Sequence, residues 1–467
     1  MTNRVIVQLR TLFVLLFAVL IARQLYVQLI AGPKYAAKAY NPRRALLSER
    51  RGRILASDGT VLAQTVHKRR VYPLGVELAQ TVGYLSLRFG AAGIEAAYDS
   101  ALTPPDTTGD PISQVTEILQ SLAGQTVQAS GADVITTLNV PVQTVLTTEL
   151  AQHARAAGVV IDPRSGAVLA MASVPSFDPN MIEDTFAQLA HADSSPLLNR
   201  ATNGLYPPGS TFKIVTAADA LESGTVTMES AFNDAGYFAI GDYTVHDNEG
   251  EATGYLDLTG AFARSSNVDF AQIALRLGAD RWYQYAQRWG LGASLDFQLP
   301  SERDRFPPRD QLYAGTLAQL GFGQANLLVT PLRMALVAST IANDGVTPRP
   351  YIVRTIGRTG STSTFAVAQL AQPISTETAR NVKKMMVAVV KDGTGAPAAL
   401  PDVTVAGKTG TATNPAGAPH SWFVCFAPAQ APRVAVAVIV ENGGYGAAVA
   451  APIARRVLRQ ALTAVPT

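Results

Sequence analysis

Apolar and polar positions divide the chain into stretches of different rhythm. Thr11 to Ala22 is an uninterrupted apolar run of 12 residues, extended less cleanly by Leu25, Tyr26, Val27, Leu29 and Ile30. From Asn41 to about Ala156 the runs are short, and Arg51 to Ala63 reads as strand, Asp58-Gly59 turn, strand. Pro104 to Pro111 is a loop by composition. Asn139 followed by Pro141 reads as an N-cap and early helical proline, opening a helix with Val142, Val145, Leu146 and Leu150 on one face. Ala157 to Pro163 and Ala167 to Ser173 flank Arg164-Ser165-Gly166 as a hairpin. Helical periodicity fills most of Ser210 to Val346, and strands are expected at Val403 to Thr411, Ser421 to Ala427 and Arg433 to Glu441. A last helix, Ala450 to Leu462, places Ile453, Val457 and Leu458 on its apolar face. Helix, hairpin, many helices, three strands and helix is an α+β order: an antiparallel sheet with helices packed on it, beside a helical lobe. The cleft between sheet edge and lobe is the expected site.

Length and composition narrow the picture. A chain of 467 residues exceeds one core and suggests two or three domains. A net charge of +3 predicts no nucleic-acid surface. One cysteine, Cys425, excludes an intrachain disulfide, and the five histidines have no ligand spacing, so neither metal nor cofactor is expected. Val5 to Ile30 is long enough to cross a bilayer, which needs about 20 residues, with Arg10 and Arg23 placed to snorkel. Ala37-Lys38-Ala39 permits the competing reading of a cleaved signal peptide, but it lies far beyond the apolar run, which favours an uncleaved single-pass anchor. Arg4 and Arg10 precede the span, whereas Arg23, Lys34, Lys38, Arg43 and Arg44 follow it. Charge counting alone would leave the large C-terminal part in the cytoplasm, but long domains are exported against that bias. The cluster Arg43, Arg44, Arg50, Arg51 and Arg53 suits lipid headgroups or, better, a solvated or salt-bridged face.

Three short motifs carry candidate chemistry. Pro207-Pro208-Gly209 rules out regular helix before Ser210, and Ile214 to Leu221 reads as a helix ending by Gly224. Ser210 then lies in the first turn, with Lys213 rising from the same face within hydrogen-bond reach. Of eight lysines, only Lys213 has serine three residues before it. Ser265-Ser266-Asn267 separates two short helices, Leu256 to Arg264 and Val268 to Leu277. Lys408-Thr409-Gly410-Thr411 lies on a predicted strand. Alone, each is ordinary: a helix start, a helix cap and a strand end. Gly407-Lys408-Thr409 is no phosphate loop, because Asp402 stands where that loop needs glycine and a strand follows.

In the order 210, 265, 408 the motifs resemble those of the penicillin-recognising serine acyltransferases. Leu198-Asn199-Arg200-Ala201, Gly323-Gln324, Thr330-Pro331-Leu332 and His420-Ser421-Trp422-Phe423 narrow the likeness to class B penicillin-binding proteins, monofunctional peptidoglycan transpeptidases. Arg51-Gly52, Asp58-Gly59 and Gly93-Ile94-Glu95 resemble that family's N-terminal region, and the short pedestal is most like the compact actinobacterial type. Cys425 departs from a frequent glycine. The resemblance implies a five-stranded antiparallel sheet flanked by helices plus an all-helical lobe. The implied domains are residues 1–31 (cytoplasmic tail and anchor), 32–156 (pedestal for dimerisation or interaction) and 157–467 (transpeptidase). It implies that Ser210 attacks the bond between two D-alanines, that neutral Lys213 takes its proton, and that Ser265 relays it while Asn267 binds Lys213 and a substrate amide. Burial and the charge of Lys408 would together lower the Lys213 pKa. Backbone N–H groups of Ser210 and Thr411 would hold the oxyanion. Lys408, Thr409 and Thr411 would take the donor's terminal carboxylate, and Gly410 would let substrate approach the strand. Stem peptides, β-lactams as covalent inhibitors, the cytoplasmic membrane and a polymerase of the shape, elongation, division and sporulation class are the implied partners. The catalytic part would lie outside the membrane.

Alternatives remain within and outside this class. A D,D-carboxypeptidase passes the same acyl group to water. A β-lactamase base is suggested by Glu302, but the accompanying Leu-Asn is missing. A non-enzymatic β-lactam sensor would need further spans, and no second apolar run approaches that length.

Overall fold

A computed structural model describes residues 2–26, 49–104, 130–247, 250–358, 361–414 and 417–464. The Ala37-Lys38-Ala39 stretch, Lys34, Arg43, Arg44 and most of the Pro104 to Pro111 loop lie outside the described residues. The first helix, α1 (Thr2–Leu25), contains an apolar window, Val7–Gln24, long enough to cross a membrane and in no part buried against the rest of the chain.

The pedestal opens with β1 (Ile54–Leu55), β2 (Val61–Val66) and β3 (Arg69–Val71), then β4 (Asp133–Thr136). The Asp58-Gly59 turn forms as its sequence requires, with Gly59 at φ 87°. Arg51 is buried against Glu95 at 2.8 Å, and the exposed Arg53 pairs with Asp133 at 2.6 Å, so this part of the basic cluster is salt-bridged. Next come α2 (Val140–Leu150), capped by the Asn139 side chain, and the hairpin β5 (Ala156–Ile161) and β6 (Val168–Val174).

After α3 (Lys213–Glu222), in a stretch expected to be mostly helical, four short strands appear: β7 (Ala231–Asp234), β8 (Tyr237–Ile240), β9 (Tyr243–His246) and β10 (Gly254–Asp257). Their runs are too short and too exposed to register as buried strands. The signal was the two-residue Gly241-Asp242 turn joining β8 to β9, with Gly241 at φ 57°. The helical lobe continues with α4 (Leu258–Arg264), α5 (Asn267–Leu277), α6 (Ala314–Gly321) and α7 (Pro331–Ala342). The chain then gives β11 (Val353–Arg358), β12 (Ser361–Thr364) and α8 (Thr376–Asp392) before β13 (Ala406–Asn414), β14 (Gly417–Ala427), β15 (Val434–Val440) and α9 (Ala450–Ala464).

The central sheet is antiparallel throughout, in the order β13-β14-β15-β5-β6. Every residue of β15 is buried, because both faces are covered. On one side α2 and α9 bring Val142, Leu146, Val457 and Leu458 against Val160, Phe423 and Val436. On the other lies α7, buried along its whole length. Cys425 sits in the first of these cores with no disulfide, as a small buried hydrophobe. β11 and β12 leave this body to extend the pedestal sheet, whose order is β12-β11-β4-β1-β2-β3.

Candidate active site

Ser210 lies in a 3-10 turn, Gly209–Phe212, that runs directly into α3. Its neighbours explain the fixed backbone. Gly209 has φ 53°, and a Cβ there would stand 2.9 Å from the Thr411 carbonyl oxygen. The Gly209 N–H donates to Gly323 O at 3.0 Å, and the Trp422 indole N–H donates to Pro207 O at 3.0 Å. A Cβ on Gly410 would meet Thr211 Cγ2 at 2.8 Å and Pro208 O at 3.0 Å, so the room it leaves is taken by the nucleophile turn. The turn is thereby pressed against the edge strand β13.

Ser265 ends α4 in the left-handed region, φ 65°, and Ser266 caps α5 by accepting from Asp269 N–H at 2.9 Å. This reversal turns the Ser265 carbonyl and hydroxyl and the Asn267 carboxamide towards Lys213. The Lys213 amine donates to Ser265 O at 2.5 Å, to Asn267 Oδ1 at 2.9 Å and to Ser265 Oγ at 3.3 Å. Lys408 reaches the same hydroxyl, Nζ to Ser265 Oγ at 2.7 Å. Residues 213, 265, 267 and 408 therefore form one connected group, with 210 and 411 beside it. Thr409 Oγ1 pairs with Thr394 Oγ1 at 2.6 Å, and Thr411 Oγ1 accepts from Gly446 N–H at 3.4 Å. The one predicted contact that does not form is between Ser210 and Lys213. Among the described residues the Ser210 hydroxyl has no hydrogen bond, since the amine is satisfied by the 265–267 segment.

Both amines are completely buried. Phe270 stands 5.4 Å from the Lys213 nitrogen and Phe262 5.6 Å from that of Lys408. Burial lowers Lys213 to about 7, against the opposing pull of Asp247, Asp269 and Asp234. Burial, and then the charge of Lys213, push Lys408 well below its ordinary value. Of the two expected causes, burial is the one that dominates at Lys213.

The three carboxylates had no motif to announce them. Asp247, just after β9, accepts from Asn267 N–H, and from Val268 N–H at 3.2 Å, at the start of α5. The neighbouring His246 carbonyl accepts from Asn267 Nδ2 at 3.1 Å, which leaves Oδ1 for Lys213. Asp269 is fully buried, and among the described residues neither of its side-chain oxygens has a hydrogen-bond partner. Burial and the neighbouring Asp234 and Asp247 raise it to about 7, while burial and Asp234 raise Asp247 to about 6.

A serine beside two buried amines that share one serine hydroxyl, at the edge of a five-stranded sheet, defines a penicillin-recognising acyltransferase. Residues 156–459 match the penicillin binding protein transpeptidase domain and 51–134 the penicillin binding protein A dimerisation domain. The chain belongs to the penicillin-binding protein transpeptidase family. It is 34% identical to peptidoglycan D,D-transpeptidase PbpA of Mycolicibacterium smegmatis over 98% of this chain and 98% of that one. It is 30% identical to MrdA of Escherichia coli K12, covering 82% of this chain and 70% of the relative. Penicillin-binding protein A of M. tuberculosis, solved as an imipenem acyl-enzyme, superposes with TM-score 0.82 and 32% identity over 90% of this chain and 100% of that one.

Proposed function

We propose that the chain is a membrane-anchored serine D,D-transpeptidase that cross-links peptidoglycan stem peptides, with β-lactams acylating the same serine. The observation that carries this reading is the convergence of Lys213 and Lys408 on Ser265, beside Ser210. Ser210 Oγ attacks the carbonyl between two D-alanines as neutral Lys213 takes its proton. Ser265, hydrogen-bonded to both amines, passes a proton to the departing D-alanine nitrogen. The amine of a second stem then attacks the ester carbon, and Ser210 recovers its proton. Lys408, Thr409 and Thr411 bind the donor's terminal carboxylate, Asn267 holds Lys213 and a donor amide, and Gly410 keeps the strand close to the turn. The Ser210 and Thr411 N–H groups stabilise the oxyanion.

The reaction belongs outside the cytoplasmic membrane, so α1 acts as a single-pass anchor with the remainder exported. Residues 1–31, 32–156 and 157–467 serve as anchor, pedestal and catalytic domain. A polymerase of the shape, elongation, division and sporulation class supplies the glycan to be joined. Intact-mass measurement should find one penicillin-derived adduct per chain, absent in Ser210→Ala. An adduct that persists in the variant removes the serine assignment. Protease added outside spheroplasts should digest the large C-terminal part, and protection would reverse the topology.

A further inference from the structure

Beyond the outer end of β13 lies a cleft of about 910 Å³ whose chemistry differs from that of the lysine pocket. Pro207, α6, the 324–328 loop, and Thr413 and Asn414 of β13 enclose it. None of its twelve lining residues is charged. Four of them, Gln311, Gln319, Gln324 and Asn326, have side-chain amides with no hydrogen-bond partner among the described residues. Gln319 and Gln324 are half-buried. Tyr313 stands at the rim 71% exposed. Neutral amides offering paired donors and acceptors, with an aromatic face beside them, suit a ligand rich in hydroxyl and acetamido groups. A carboxylate or phosphate would find no counter-charge here.

The position fits as well as the chemistry. Gln324 follows Gly323, whose carbonyl accepts from the nucleophile turn at Gly209. On β13, Thr413 lies where the pairing with β14 shifts register between Ala412 and Asn414, and Asn414 is three residues past Thr411, about 10 Å at ~3.3 Å per residue. An extended donor has four residues between its scissile bond and its sugar, a reach of roughly 13 Å. With the terminal carboxylate at Thr409 and the reacting carbonyl at Thr411, the upstream chain runs towards Asn414 and delivers its sugar to the cleft.

We propose that this cleft is a glycan subsite, binding the N-acetylated sugar to which the donor stem is attached. The inference rests on the transpeptidase reading, and the test separates the two. Full-length Ser210→Ala protein in detergent is titrated with a disaccharide-pentapeptide and with the same pentapeptide lacking sugar. The sugar-bearing ligand should bind about tenfold more tightly, equivalent to ~1.4 kcal/mol. Adding Tyr313→Ala, or Gln319→Ala with Gln324→Ala, should bring that ratio close to one, with melting temperatures reporting that each variant is folded. A ratio of one already in Ser210→Ala, failure of the sugar-bearing ligand to bind, or a preference that survives both sets of substitutions would overturn the subsite. If the wild-type chain takes no penicillin adduct, it is instead the transpeptidase reading that fails.

Discussion

The pedestal and the cleft each bury a pair of cations, and they handle the cost in opposite ways. In the pedestal, Arg51 and Arg70 share Glu95, at 2.8 and 2.5 Å, and Asp99 takes a second arm of Arg51 at 2.8 Å. Arginine stays charged, so its desolvation is offset by carboxylates in contact. In the cleft, Lys213 and Lys408 are equally buried but touch only carbonyl, hydroxyl and amide oxygens. Without a carboxylate in contact, an amine answers desolvation by giving up its proton. The first arrangement makes a scaffold. The second makes a base.

That contrast can be broken at either end. Lys213→Arg keeps the charge but removes the base, and penicillin acylation should fall by on the order of 10²–10⁴-fold, read from the second-order rate of adduct formation. Near-normal rates would mean that Lys213 is scaffold too. Glu95→Ala leaves the buried Arg70 guanidinium without a carboxylate and Arg51 with Asp99 alone, and should cost about 3–5 kcal/mol in denaturant unfolding. The acylation rate of the fraction still folded should stay at the wild-type level, and a parallel loss of rate would tie the pedestal to the chemistry. Asp247→Ala removes the acceptor that fixes the Asn267 backbone. A displacement of about 1 Å there should lower acylation by up to ~100-fold with little change in melting temperature.

Asp269→Asn is the mildest change, and its sign is informative. The carboxyl is raised to about 7 by burial and by Asp234 and Asp247. An ordinary carboxyl ionises near ~4, so folding opposes its ionisation, and this destabilising effect is absent at low pH and complete above pH 7. The variant should therefore gain melting temperature at pH 8 and little at pH 5. Removing a negative charge that favours the Lys213 ammonium should also move the acidic limb of acylation to lower pH. A shift to higher pH would contradict the charge assignment.

How much of this was legible depended on whether residues signal locally. The strands of the central sheet show as apolar runs closed by turn residues, and the motifs at 210, 265 and 408 show by spacing. Asp247 has no such signal. It reaches Asn267 from a hairpin 20 residues upstream, across a fold that no periodicity encodes. The strands β11 and β12 also escaped notice, since Ser361–Thr364 is wholly exposed and polar and pairs only because β11 lies beside β4. The direction of Lys213 was hidden for a related reason. Helix spacing places it near Ser210, but the left-handed Ser265 decides what its amine meets.

The most direct test of the account is the pH dependence of penicillin acylation by the wild-type chain. If a buried, neutral Lys213 activates Ser210, the rate should climb through an apparent pKa of about 7 and level off above it. A rate unchanged from pH 5 to pH 9 (roughly two units either side of that value) would contradict it.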